Sequence, residues 1–262
     1  MTHVIAVSNQ KGGVGKTTTA VNLAACLGAR GYSALVVDMD PQGNATSALG
    51  VDPRTITSSL YRTLVGLDTP DPIHLGEIVP NVWLLPSNMN LAAAEIDFHS
   101  LENREKRLEA VLSSLDMKFD FVLIDSPPSL NQLSLNTLVA ADWVLVPVQA
   151  EFLALDGLSH VLQTLELVQR SYNPRLQLLG IVVTLYDSRT RLAQEVVEQL
   201  EAHFNGKVFQ SKIARSIRLS EAPSHGKPIL YYDPRSPGAL GYMQLSEEVA
   251  HVCQEASIGP RA

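Results

Sequence analysis

Six short runs that are apolar on successive residues, and so on both faces of an extended chain, restrict this sequence to few folds: HVIAVS (3–8), SALVVD (33–38), VWLLP (82–86), FDFVLID (119–125), WVLVPV (143–148) and LLGIVVTL (178–185). A strand apolar on both faces belongs in the middle of a parallel sheet covered by helices; a sheet with one wet face would alternate apolar with polar residues. Between the runs lie segments of helical character, beginning near Lys16, Leu101, Leu130, Leu155, Leu192 and Ala239. Strand followed by helix, repeated along the chain, predicts an α/β fold: a doubly wound, mostly parallel sheet flanked by helices. No linker rich in Gly, Ser or Pro divides the 262 residues, so the expectation is a single domain over 1–262. The least regular stretch, 51–72, reads as a surface excursion rather than a boundary.

No apolar run approaches the roughly 20 residues of a membrane span, and MTHVIAVSNQ lacks the charged and apolar regions of a signal peptide. A cytoplasmic protein with no membrane partner is expected. Cys26 and Cys253 both fall in helical segments without metal-ligand or C-x-x-C spacing, and read as buried structural thiols. The net charge of −7 counts against a nucleic-acid partner unless positive charge is gathered locally.

The first apolar run leads into SNQKGGVGKTT (8–18) and then a helix-forming segment, the setting of a phosphate-binding loop. The usual pattern G-x-x-x-x-G-K-[ST] needs a glycine where Gln10 stands; Lys11, Gly12 and Gly13 follow it instead. Gly12, Gly13 and Gly15, with Val14 between them, let backbone N–H groups face a phosphate at a helix N-terminus. Lys16 reaches β- and γ-phosphates, the Thr17 hydroxyl ligates Mg²⁺, and Thr18 completes the first turn. Two further strands end in carboxylates on the same sheet edge: Asp125 in FVLIDSPPS, and Asp38 with Asp40 in VVDMDPQGN. Asp125 suits the water shell of the metal, Asp38 the support of the metal region, and Asp40 the orientation of an attacking water. An N-K-x-D guanine-reading motif is absent from the sequence.

Together KGGVGKTT, VVDMDPQGNAT, IDSPPSL and SEAPSHGKPI, in that order, resemble the ParA/Soj family of chromosome- and plasmid-partitioning ATPases, over about residues 3–250. The first motif marks only the wider class of deviant Walker P-loop NTPases; the DPQGNAT and RLSEAPSHGKPI segments narrow it. The resemblance implies ATP and Mg²⁺ as cofactors and slow hydrolysis. It gives Lys11 a role in trans: reaching across a nucleotide-sandwich homodimer to the phosphate held by the other subunit. It further implies a ParB-like centromere-binding partner, non-specific binding of double-stranded DNA, and a nucleoid-associated protein. One departure is KIARSIRL, which differs from the family's common PRN at Ala214 and Ser216, beside the expected base pocket.

Residues 202–220 carry Lys207, Lys212, Arg215 and Arg218, with His203 and no Asp or Glu, while Arg189 and Arg191 lie just upstream. By the resemblance this is the DNA-binding part of the chain, with Arg189 and Arg218 the main candidates and Arg215 behind them. Two alternatives compete. A MinD-like membrane-associated ATPase requires a basic amphipathic C-terminal helix, for which SEEVAHVCQEASIGPRA is too acidic. A nucleotide-gated regulatory DNA-binding module would hydrolyse ATP only incidentally.

Overall fold

The computed structural model describes residues 2–76, 78–151 and 154–258. Its strands are β1 (His3–Val7), β2 (Ala34–Asp38), β3 (Ile73–His74), β4 (Val82–Leu85), β5 (Phe121–Asp125), β6 (Trp143–Gln149), β7 (Gln177–Tyr186) and β8 (Val208–Ala214). They form one sheet in the order β3-β4-β2-β5-β1-β6-β7-β8, parallel throughout except where β3 runs antiparallel to β4 at the edge. The helices are α1 (Lys16–Ala29), α2 (Asn44–Ala48), α3 (Leu60–Leu64), α4 (Ala94–Asp97), α5 (Arg107–Ser113), α6 (Gln132–Ala140), α7 (Ala154–Ser171), α8 (Arg191–His203), α9 (Ile217–Glu221), α10 (Ile229–Tyr232) and α11 (Pro237–Ile258).

The doubly wound sheet expected from the apolar runs is present. Every residue of β2 and β5 is buried, as continuous apolar runs require in mid-sheet. Strand order reverses around β1: β2 lies on one side of it beyond β5, and β6 on the other. Ligands of such sheets bind where the order reverses, beyond the strands' C-terminal ends. The sequence SNQKGGVGKTT occupies that place.

Several local expectations need correction. The helix expected near Leu101 starts at Arg107, because Asn103 takes a left-handed conformation (φ 50°) that interrupts the helical path. The helix expected near Leu130 starts at Gln132, where Asn131 and Ser134 form a reciprocal capping box. Residues 51–72 are more than a surface excursion, since Leu60 and Leu64 of α3 are buried in the cluster under β2 and β5. Two strands escaped the sequence reading. β3 is only two exposed residues long, and β8 alternates buried with more exposed positions around Gln210 and Lys212, as an edge strand does.

The C-terminal helix α11 buries Tyr242, Leu245, Val249 and Cys253, a helical spacing that makes one apolar face. That face lies in the same core cluster as α1, and Tyr242 Oη sits 3.1 Å from Thr19 Oγ1. Its apolar surface is therefore spent inside the molecule. No described helix is long and apolar enough to cross a membrane.

Candidate active site and basic edge

The loop between β1 and α1 is shaped by two left-handed glycines, Gly13 (φ 76°) and Gly15 (φ 88°). Gly15 takes the N-cap position of α1 without a side-chain cap, and no acidic residue stands in the first turn. The helix thus presents its N-terminal N–H groups and partial positive charge at the sheet edge, an arrangement suited to an anion. Three contacts brace the loop from neighbouring strands and from within. Asn9 Nδ2 donates to the Pro147 carbonyl at 2.8 Å, Asn9 Oδ1 accepts from Lys11 N at 3.0 Å, and Thr184 Oγ1 donates to the Val14 carbonyl at 2.8 Å. Sequence reasoning missed Asn9 and Thr184. Asn9 adjoins the motif and was within reach, whereas nothing local to Thr184 points to a loop 170 residues away.

Lys16 is 7% exposed and bends back so that Nζ donates to the Lys11 carbonyl at 3.2 Å. Burial lowers its pKa, while the charges of Asp125 and Asp40 oppose the shift, so all three groups converge on one point. Lys11 is different: its ammonium is half-exposed and pairs with Glu151 at 3.0 Å. The two lysines of one loop serve different surroundings.

The carboxylates also separate by environment. Asp38 and Asp125 end adjacent strands and face each other in register. Asp38 is fully occupied by donors: Thr46 N at 2.8 Å and Thr46 Oγ1 at 2.7 Å on one oxygen, Asp40 N at 3.2 Å on the other. Burial nonetheless pushes its pKa up to about 6. Thr46 Oγ1 in turn accepts from Ser87 N at 3.0 Å, so Asp38 anchors α2 and the end of β4 together. Thr46 of DPQGNAT thus ties that motif to Asp38 and to Ser87. Asp125 is wholly buried, and among the described residues its oxygens lack a well-formed hydrogen bond, with the Thr17 hydroxyl standing beside them. Its pKa is raised well above the carboxylate range, first by burial and then by the charge of Asp38; Thr17 beside it acts the other way. A buried carboxylate so poorly satisfied is costly unless a cation or its water shell completes its partners. Among the described residues no three His, Cys, Asp or Glu side chains cluster as a metal site, so a cation here would draw its remaining ligands from water and phosphate. Asp40 is half-exposed and accepts from Gln42 N at 2.9 Å.

The basic stretch does not form one face. β8 runs through it, leaving Lys207 at one edge of the sheet, with Nζ on the Leu178 carbonyl, and Arg215 with Arg218 at the other. The separation is on the order of 25 Å at strand rise. Flanking acids also close in: Lys212 pairs with Glu201 at 3.5 Å, and Arg218 with Glu221 at 2.9 Å and Asp233 at 3.5 Å. Arg189 grips Asp187 with Nε at 2.9 Å and Nη2 at 2.8 Å, which holds that carboxyl down at about 2. Arg215 N bonds the Tyr186 carbonyl at 3.0 Å and its charge also reaches Asp187. The ends of β7 and β8 therefore bring Arg189 and Arg215 to one edge.

Residues 2–178 match a family model described as an AAA domain. The chain is 50% identical over 252 residues to the chromosome-partitioning ATPase Soj of Thermus thermophilus, spanning 96% of this chain and 97% of that one. It is 47% identical over 252 residues to the sporulation initiation inhibitor protein Soj of Bacillus subtilis, spanning 95% and 99%. Among solved structures, cobyrinic acid a,c-diamide synthase from Mycobacterium smegmatis with bound ATP analog and magnesium superposes with a TM-score of 0.86 at 38% identity, over 98% of this chain and 97% of that one. A nearly full-length likeness at about half identity, joined to the loop and strand-end carboxylates above, leads to one conclusion: this chain belongs to the ParA/Soj family of chromosome-partitioning ATPases.

Proposed function

We propose that the chain works as one domain that binds ATP with Mg²⁺, closes into a homodimer around two nucleotides, and in that state binds double-stranded DNA without sequence preference. Slow hydrolysis, stimulated by a ParB-like partner, releases the DNA, so the protein acts on the nucleoid in chromosome or plasmid partition. The observation that carries the reading is Asp125: a buried carboxylate poorly satisfied by the protein, with Lys16 and the Thr17 hydroxyl of the uncapped α1 N-terminus beside it. Those groups fit a hydrated cation and the phosphates of a nucleotide.

Bound Mg²⁺ would neutralise phosphate charge; Thr17 and Asp125 hold it, with Asp38 fixing α2 alongside rather than donating an oxygen. The loop residues Gly12, Gly13, Val14, Gly15, Thr17 and Thr18 cradle the phosphates through backbone N–H groups, and Lys16 supplies the cation that stays within the subunit. Lys11 exchanges Glu151 for the phosphate of the facing subunit. Asp40 orients the attacking water, since it stands near Lys16 yet keeps solvent access. Arg189, Arg215 and Arg218 meet DNA phosphates.

The MinD-like alternative fares worse, because the apolar face of α11 is already buried against the core. The test is binding to two unrelated duplexes with ATP and with ADP. ATP-dependent, sequence-indifferent binding is expected. A marked preference for one duplex, or none for ATP over ADP, defeats the reading.

A further inference from the structure

The first half of α1, the residues after α2 and the segment 221–233 meet around one turn. Asn22 on α1 is buried and bonded at both ends of its amide: Nδ2 donates to the Thr18 carbonyl at 2.7 Å, and Oδ1 accepts from Ile229 N at 2.6 Å. The first turn of α1, where the phosphate and metal groups stand, is thus tied to the start of α10. A second tie comes from α2. Gly226 (φ 60°) packs against Gly50 (φ 85°) so closely that a Cβ on Gly226 would lie 2.6 Å from Gly50 Cα, and one on Gly50 would lie 3.0 Å from the Gly226 carbonyl oxygen. Gly50 follows α2, the helix that Asp38 anchors through Thr46.

The same segment holds Arg218 from both of its ends. Glu221, just before the turn, accepts from Arg218 Nη1 at 2.9 Å and from Tyr232 Oη at 3.2 Å, while Asp233 Oδ2 lies 3.5 Å from Arg218 Nε. Between α1, α2 and the turn runs a cleft lined by Thr17, Thr18, Asn22, Ala48, Pro223 and Lys227.

We infer that residues 221–233 are a mechanical coupling between the phosphate site and Arg218, with Asn22 as the positioning residue that drives it. The inference rests on the DNA-binding reading above for its outcome at Arg218. A displacement of the first turn of α1 cannot be absorbed at Asn22, because breaking the contact strands a buried Ile229 N–H without a partner. Nor can a displacement of α2 be absorbed at Gly50 and Gly226, where backbone meets backbone and no side chain exists to bend. The segment moves as a body and carries Glu221, Tyr232 and Asp233 with it. Arg218 is released or re-aimed according to what the phosphate site holds. Coupling of this kind is reciprocal: nucleotide alters DNA affinity, and DNA alters nucleotide affinity by the same factor.

The experiment compares the full-length protein with Asn22→Ala and Tyr232→Phe, each with a non-hydrolysable ATP analogue or ADP in the presence of Mg²⁺. Hydrogen exchange is followed over residues 217–233, and DNA affinity is measured in both nucleotide states. In the wild type the analogue changes exchange across the segment, and DNA affinity differs between nucleotides by about fivefold or more. Asn22→Ala binds the analogue but loses the exchange response, and its affinity ratio falls to about one. Tyr232→Phe keeps the exchange response and lowers the ratio, since the hydroxyl's links to Glu221 and to Arg218 are cut while Asn22 and Gly226 are untouched. A merely structural role for Asn22 would lower melting temperature and nucleotide affinity while leaving the ratio alone. An unchanged ratio in Asn22→Ala overturns the inference, as does an unchanged ratio in Tyr232→Phe if Asn22→Ala does not fold, or a wild-type segment whose exchange ignores nucleotide. A wild type that binds no DNA in either state defeats the DNA reading, and the exchange arm then decides the coupling by itself.

Discussion

Lys11 and Lys16 stand five places apart in one loop, and their surroundings divide the work between them. Lys16 is buried over the loop with Asp125 and Asp40 near it, whereas Lys11 points outward to Glu151. Replacing Lys16 by Ala removes the cation that a bound nucleotide meets inside its own subunit, so tight ATP binding is lost. Lys11→Ala keeps ATP binding but neither dimerises stably nor hydrolyses, because the facing phosphates then lack their second counter-charge. Equilibrium binding and sedimentation check both; equal dimer fractions in wild type and Lys11→Ala refute the role in trans. Asp40→Ala separates assembly from chemistry, since a group that orients water acts in the transition state and not on the ground-state nucleotide. Its turnover falls by about 10²-fold or more while the ATP dimer persists. Wild-type turnover in that variant would remove Asp40 from the mechanism.

At the scale of elements, the pairing of α1 with α11 shows how packing overrides local reading. Tyr242 meets Thr19, and Arg30 Nε donates to Ser246 Oγ at 2.8 Å, so the two helices are joined near both ends of α1. Cys26 and Cys253 are both fully buried in this layer, and burial pushes each thiol up to about 12. The reactive thiolate is therefore scarce at pH 8, and the sulfurs are shielded besides. A small alkylating reagent at that pH leaves both cysteines intact in the folded protein and modifies both in denaturant. Fast modification under native conditions would mean that α11 lifts from α1. β8 gives the opposite lesson, for its seven residues split a run of cations that looks continuous in the sequence.

For the molecule as a whole, Arg189, Arg215 and Arg218 stand around the ends of β7 and β8, and in the proposed DNA complex each subunit alone would offer few phosphate contacts. A dimer doubles them. Counterion release gives a log–log salt slope of about −0.9 per phosphate neutralised, so roughly four to six contacts yield a slope of about −4 to −5. Removing one arginine from both subunits flattens that slope by about two units on any duplex. Arg189→Glu with Arg218→Glu abolishes DNA binding while ATP still binds, as neither residue touches the phosphate site directly. Salt titrations of the variants measure the slopes, and unchanged binding by the double variant places DNA on another face.

The sequence by itself determined the sheet and the place of the phosphate loop, because both rest on short-range facts: apolar runs that must be buried on two faces, and glycines whose backbone must turn left-handed before a helix. Asp38, Asp40 and Asp125 were legible for the same reason, each ending or just following an apolar run. The contacts that set them apart were not. Asp38 is taken up by Thr46 because α2 folds back over the end of β2, whereas Asp125 has only the Thr17 hydroxyl near it among the described residues. Thr184 under the loop, Glu151 on Lys11 and Asn22 on Ile229 were equally silent in the sequence. A hydrogen bond between residues 170 or 207 positions apart has no local periodicity to announce it and exists only once the sheet brings its ends together.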